Sequence, residues 1–389
     1  MDGFLFAILV VAVATGFLLG RRSIRSPQPF VLASAHQRYL EGLTHLLNEQ
    51  PDAAIDTLVS DLEVSQETAE VYFALGALWR RKGEMDRAIR VHQSLLSNIN
   101  LTSEQMQQAQ LELALDYTHS GLLDRGEVLL KELAESALPA IGQMAGRELV
   151  LLYQEEQEWE KAIAAADELC GKPSGQDMPF WRNLQAHYYC ELAERALGAP
   201  DWSQPSLFSA GIAATSEASQ TARRWLKQAE TRAPAHPRIL LLRSLMDLAE
   251  KDIDAARVAT MSMRLEPGFA MVAVPLLMSI HKFDRTEICS SLSALYQSSD
   301  DTGLIPYIAE CLYQEEGANS AMAFLVKELR RHDGLGSLAL LLQASVNALR
   351  YESLRPVLHQ ALPLRFTCHQ CGFYGRQFHW SCPSCKTWL

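Results

Sequence analysis

Hydrophobic positions follow two different patterns along this chain. From residue 3 to residue 20 they are nearly continuous: GFLFAILVVAVATGFLLG contains no charge, and eleven of its eighteen positions are Phe, Leu, Ile or Val. At about 1.5 Å per residue such a helix spans about 27 Å, close to the thickness of the hydrocarbon layer of a bilayer. Beyond Pro29 the apolar residues fall three and four positions apart, the spacing of helices with one buried face, and polar residues fill the rest. This pattern predicts an all-α protein in which one uniformly apolar helix precedes a long series of two-faced ones.

The apolar run is flanked by Asp2 on one side and by Arg21, Arg22 and Arg25 on the other. A cleaved signal peptide needs the opposite order, with positive charge before the run and a small-residue cleavage site after it. The arrangement instead predicts an uncleaved transmembrane anchor over residues 1–20, with its N-terminus outside and the rest of the chain in the cytoplasm. Residues 21–34, which include Pro27 and Pro29, read as a short linker to the first soluble helix.

Small residues give the helical region a period. In VYFALGALWRRKGEMDRAIRVHQSLL, residues 71–96, Gly76 and Ala88 mark where two antiparallel helices approach, with Trp79 beside them and Gly83 at the turn. Gly42 and Ala54 precede Gly76 and Ala88 by 34 residues. Ala114, Tyr117, Gly121 and Gly126 continue the skeleton, as do Tyr153 and Ala162, then Ala222, Ala229 and Pro234, then Ala256, and more weakly Ala309 and Ala321. Close helix crossings require small side chains, and recurrence near 34 residues resembles the tetratricopeptide repeat. A repeat solenoid is therefore expected over residues 35–362. Residues 198–221, rich in Gly, Pro, Ser and Ala, read as an insertion loop that interrupts the period. The run Arg80, Arg81, Lys82 reads as a solvated face, with no binding site assigned to it.

Composition narrows the function. Of the chain, 48% is hydrophobic and 21% charged, as in a globular protein, and the formal net charge is −11. A nucleic-acid scaffold needs a basic face, so the expected partners are proteins. Four of the eight cysteines, Cys170, Cys190, Cys289 and Cys311, are scattered through apolar helical stretches. Such cysteines read as small buried hydrophobes in a reducing compartment.

The other four cluster in TCHQCGFYGRQFHWSCPSC, residues 367–385. Cys368-x2-Cys371-x10-Cys382-x2-Cys385 has the spacing of two facing metal knuckles. Gly372 supplies the positive φ that such a turn favours, and Pro383 stiffens the second turn. Four thiolates predict a closed structural shell holding zinc, with iron the alternative ion. His369 and His379 are surplus to that shell. A tab of residues 363–389 is too small to fold without a staple, and its Phe and Trp residues exceed what it can bury by itself, so it is expected to dock on the last helical repeats.

The chain has no GxxxxGK[ST], GxSxG or HExxH motif, and its eleven histidines have no nucleophile or carboxylate at informative spacing, so no catalytic residue is predicted. Taken together, GRRS (20–23), KGEMDRAIRVHQSLL (82–96), HYYCELA (187–193) and CHQCGF…HWSCPSCKTW (368–388) resemble the lipopolysaccharide assembly protein B family. That resemblance implies a single-pass inner-membrane adaptor with a tetratricopeptide array and a C-terminal rubredoxin-like metal-binding tab. It implies regulation of lipopolysaccharide biosynthesis by promoting degradation of the deacetylase LpxC by the membrane protease FtsH. A lipopolysaccharide-sensing inner-membrane protein is the implied opposing partner, and a homodimer is compatible with the reading. It also implies that Cys368, Cys371, Cys382 and Cys385 are the metal ligands. Lys386 departs from the family pattern, where rubredoxin-like second knuckles commonly carry glycine. The competing class is a rubredoxin-like electron carrier or thiol redox protein on a helical scaffold.

Overall fold

The computed structural model describes residues 68–97, 101–171, 178–200, 214–234, 236–261, 267–280, 286–332 and 351–389, together with Thr15, Gln66, Trp202, Leu207, Gly211 and Ile212. The predicted anchor, apart from Thr15, and the repeat markers Gly42 and Ala54 lie outside these residues. Among the described residues no helix is long and apolar enough to cross a membrane.

Fifteen α-helices account for most of the described chain, in agreement with the all-α expectation. The chain forms two compact units, residues 1–152 and 153–389. The first contains α1 (Ala69–Arg81), α2 (Met85–Leu96), α3 (Ser103–His119), α4 (Leu123–Ala134) and most of α5 (Pro139–Glu155). Helix α1 packs against α2, α2 against α3 and α3 against α4, and α1 also reaches α3. Local signals set the ends: Gly83 and Gly121 take positive φ in the turns between α1 and α2 and between α3 and α4. At the start of α3 the Thr102 side chain accepts from the Gln105 N–H while Gln105 Oε1 accepts from the Thr102 N–H, a reciprocal cap.

Most of the small residues picked out in the sequence are buried, and Gly126 of α4 abuts Thr118 of α3. Ala88, Ala114, Ala162, Ala222, Ala229, Ala256, Ala309 and Ala321 have no exposed surface. At Gly76 the close neighbour is not apolar but the imidazole of His92 on α2: a Cβ built there would stand 2.2 Å from Nε2. His92 Nδ1 meets Asp116 of α3 at 2.5 Å, and Arg80 of α1 bonds Asp116 at 2.6 Å and Glu112 at 2.7 Å. His92 and Asp116 are fully buried, so this chain of polar contacts holds α1, α2 and α3 in one register. Arg80 is therefore turned into the network rather than solvated, while Arg81 and Lys82 are exposed.

The second unit continues with α6 (Trp159–Gly171), α7 (Met178–Ala196), α8 (Ser216–Arg232), α9 (Pro237–Ala249), α10 (Ile253–Met261), α11 (Ala270–Ile280), α12 (Thr286–Ser299), α13 (Ile305–Glu315), α14 (Ala318–Arg331) and α15 (Tyr351–Ala361). Helix α7 is buried nearly all round, between α6, α8 and α9. Helix α9 begins at Pro237, whose missing N–H costs nothing at the first position, behind the cap His236. The chain ends in a small non-helical segment. Its strands β1 (Phe366–Thr367) and β2 (Tyr374–Gly375) pair antiparallel, Phe366 opposite Gly375, and an isolated bridge joins Ser381 to Trp388.

Gly76→Ala tests the crossing of α1 and α2. Alanine is favoured over glycine in a helix by about 1 kcal/mol, but the added methyl has no space, and overpacking costs about 1–3 kcal/mol. Net destabilisation is expected in urea unfolding, and Gly76→Ala with His92→Ala should recover part of it.

Candidate metal centre

The four predicted ligands converge. The Sγ atoms of Cys368, Cys371, Cys382 and Cys385 all lie within 4.8 Å of one another, and no disulfide joins them. Cys368 to Cys385 and Cys371 to Cys382 are each 3.7 Å. Four sulfurs held at about 2.3 Å from one ion in a tetrahedron stand about 3.8 Å apart, so this donor set fits a zinc-type site. His369 is exposed, His379 rests its ring edge-on against Phe366 at 5.5 Å, and neither joins the sulfur set.

The two knuckles are built alike. The Gly372 N–H donates to the Cys368 carbonyl at 3.0 Å, and the Lys386 N–H donates to the Cys382 carbonyl at 2.8 Å. The Cys368 N–H reaches the Phe373 carbonyl and the Cys382 N–H the Thr387 carbonyl. Gly372 has φ +73° and Lys386 φ +60°. The second turn thus needs the same left-handed backbone as the first, and Lys386 adopts it at a cost glycine avoids.

The tab's docking differs from the expectation. It does touch the turn between α12 and α13: the chain entering it passes so close to Gly303 that a Cβ there would lie 2.7 Å from the Leu364 Cα. Its tryptophans, however, are seated between α5 and α9. The Trp388 Nε1–H donates to Gln154 Oε1 at 2.9 Å, which also accepts from the Tyr188 hydroxyl at 2.8 Å. The Trp388 ring lies 4.8 Å from that of His187 and 6.2 Å edge-on to that of Trp159. The anchoring helices are thus those that offered aromatic faces and an amide oxygen able to accept a second hydrogen bond, not those nearest in sequence.

Arg238 of α9 is the polar centre of this seat. It is fully buried, its guanidinium 4.6 Å from the Trp380 ring and 5.7 Å from the Trp388 ring. Glu191 and Glu194 of α7 each bond it at 2.7 Å. Burial works against the charged guanidinium, but the two carboxylates more than offset it, and its pKa is raised. Burial lifts the pKa of Glu194, with Arg238 opposing. Trp202, from the predicted insertion, donates to Glu194 at 3.1 Å and packs edge-on against Trp380. Trp202 therefore closes the seat from a further side, a role the Gly/Pro/Ser composition around it does not suggest.

Beside Arg238, His187 Nε2 and His236 Nε2 are 3.2 Å apart. His236 Nδ1 accepts from the Arg238 N–H, so its Nε2 carries the proton and donates to His187. Burial, then His236, then Arg238 hold the His187 pKa well below the ordinary value, and burial followed by Arg238 holds that of His236 down to about 4. Of the scattered cysteines, Cys190, Cys289 and Cys311 are buried as expected and Cys170 is partly exposed. A cleft of about 540 Å³ opens between the second knuckle and α5–α7, lined by Gln154, Glu155, Trp159, Glu191, Pro383 and Lys386 among others.

Sequence reasoning located the four thiols and missed the seat. Its one visible signal is Arg238 inside the apolar run PRILLLRSLMDL, since an arginine on a buried helix needs acidic partners. Nothing in the sequence names those partners.

Fold and site together define a mostly helical protein carrying a four-cysteine metal-type centre in a C-terminal tab. No family model matches the chain. It is similar to the protein of Escherichia coli (strain K12) named lipopolysaccharide assembly protein B, 28% identical over 398 residues that cover 99% of this chain and 96% of that one. The protein of the same name from Haemophilus influenzae is 26% identical over 416 residues, again covering 99% and 96%. The resemblance drawn from the sequence is borne out in these curated relatives.

Two outcomes follow from the seat. Arg238→Ala should cost about 3–5 kcal/mol, because Glu194 is left buried without its partner, and limited proteolysis should then release residues 363–389. The histidine pair should make the fold acid-sensitive. Both folded pKa values lie below the unfolded value of about 6.5, so this stabilisation is complete above that pH and is lost as pH falls towards about 4. His236→Asn keeps a capping oxygen but does not titrate, so the fall in urea midpoint from pH 7.5 to 5 should be smaller than in the wild type.

Proposed function

We propose that this chain is an inner-membrane adaptor in lipopolysaccharide biosynthesis that promotes FtsH-dependent proteolysis of the LpxC deacetylase. The observation that carries the reading is the similarity to lipopolysaccharide assembly protein B along 99% of this chain, through the helical region and the four-cysteine tab alike. In this reading residues 1–20 anchor the protein, single-pass, with residues 21–389 on the cytoplasmic side, and the helices form a tetratricopeptide array that binds partners.

The chain's own residues act as a binding scaffold rather than a catalyst. Cys368, Cys371, Cys382 and Cys385 would hold a metal ion, which would cross-link the two knuckles. Residues of α5, α7 and α9 bind the tab, so that helices and knuckle together line the cleft beside Trp388. Polar and aromatic groups share that cleft, which suits a protein partner better than a small apolar ligand. The anchor contributes effective concentration: a client and a membrane protease confined near one tether meet at up to about millimolar local concentration.

The test is the LpxC half-life in cells that carry the full chain or a chain lacking residues 1–20, at equal abundance. The full chain should shorten the half-life and the anchorless one should not. Equal shortening would remove tethering from the mechanism, and no effect of either form would reject the adaptor reading.

A further inference from the structure

Each knuckle offers one sheltered and one accessible thiol. Cys368 and Cys382 are buried, Cys371 is exposed and Cys385 is partly exposed. The accessible sulfur of the first knuckle lies across the centre from the sheltered sulfur of the second, Cys371 Sγ to Cys382 Sγ being 3.7 Å. Zinc-bound sulfur retains thiolate character, and oxidation selects thiolates that solvent can reach. The remaining buried cysteines have no such access. Cys190 is fully buried, and burial pushes its thiol up to about 12.

We propose that Cys371 is an oxidation site for peroxides, and that its condensation with Cys382 ejects the metal and unseats the tab. The proposal rests on the metal reading of the four cysteines. The Cys371 thiolate attacks one peroxide oxygen: an S–O bond forms, the O–O bond breaks, and the departing oxygen leaves as water with a solvent proton. The Cys382 thiolate then attacks the sulfenic sulfur, forming S–S and breaking S–O, and the hydroxide leaves as a second water. Two thiolates lose two electrons, one hydrogen peroxide becomes two waters, and two protons come from solvent. The ion loses two of its four donors in one event.

The consequence reaches the seat through the backbone. The Cys382 N–H is bonded to the Thr387 carbonyl and the Cys382 carbonyl to the Lys386 N–H, so the second knuckle runs directly into Trp388. A bond to Cys371 draws Cys382 from the packed position its sulfur holds, at 0% exposure, and frees Cys385. Trp388 and Trp380 then lose the staple that holds them over His187 and Arg238. The geometry thus places an oxidant-accessible sulfur at one end of a short path whose other end is a buried cation.

The experiment uses the full-length chain loaded with zinc, its metal content counted first by elemental analysis. A chain that binds no zinc overturns the premise and the proposal with it. Hydrogen peroxide is then added while a chromogenic chelator follows zinc release, tryptophan fluorescence follows the seat, and peptide mass mapping locates the disulfide. The expected result is one zinc released for each Cys371–Cys382 disulfide, a simultaneous fluorescence change, and recovery on adding thiol reductant and zinc. Cys371→His retains a four-donor shell without a thiol at that position and should release zinc about tenfold more slowly or less. Zinc retained while peroxide is consumed, a first disulfide between Cys368 and Cys385, or release from Cys371→His as fast as from the wild type would each overturn the proposal.

Discussion

A guanidinium removed from water must be surrounded by charge that balances it, and in the second unit that constraint falls on Arg238. Desolvating a cation costs several kcal/mol, so the site persists only while Glu191 and Glu194 remain within hydrogen-bond reach. Both carboxylates lie on α7 and the arginine on α9, so the ion pairs fix two helices against each other. The same pairs need shelter, because water entering the seat would weaken them. Trp380 and Trp388 provide it from the tab, and Trp202 adds a further wall.

The tab depends on the helices in turn. It has two strands of two residues each, and its interior is one small cluster of rings in which Phe366 meets Phe373 and Phe378, and Phe378 meets Trp380. Phe366, Phe378 and Trp380 are nonetheless buried, whereas Tyr374, turned away from the seat, is 68% exposed. Burying a large aromatic contributes about 1.5–3 kcal/mol, so docking supplies stability that such a small segment lacks. The four cysteines bring the two knuckles face to face, and the seat holds Trp380 and Trp388. The two arrangements share one segment, since Cys382 and Cys385 lie between Trp380 and Trp388 in the chain.

The first unit solves a related problem with different residues. His92, Asp116 and Arg80 occupy positions that an apolar core would fill with leucine, and Gly76 gives the imidazole room. A polar network tolerates fewer alternative registers than apolar packing, because each donor must find its acceptor. Both units thus place buried polar side chains where three segments meet.

The sequence by itself determined the helical class, the buried small residues and the cluster of four cysteines. Each of these is local: small residues suit buried helix positions where space is short, as at Gly76 and Gly126, and two Cys-x-x-Cys turns carry their geometry within a few residues. The positive φ at Gly372 was legible for the same reason, while the matching φ at Lys386 was not, since lysine does not advertise it. Tertiary structure alone decided that Gly76 faces an imidazole, that Arg80 turns inward, and that Trp388 sits on Gln154, 234 residues away in the chain. It also decided that Trp202, in a segment that reads as an insertion loop, closes the seat of Arg238. Such contacts join side chains from distant elements, and their partners are chosen by shape, charge and hydrogen-bond capacity in three dimensions. No spacing along the chain encodes that choice.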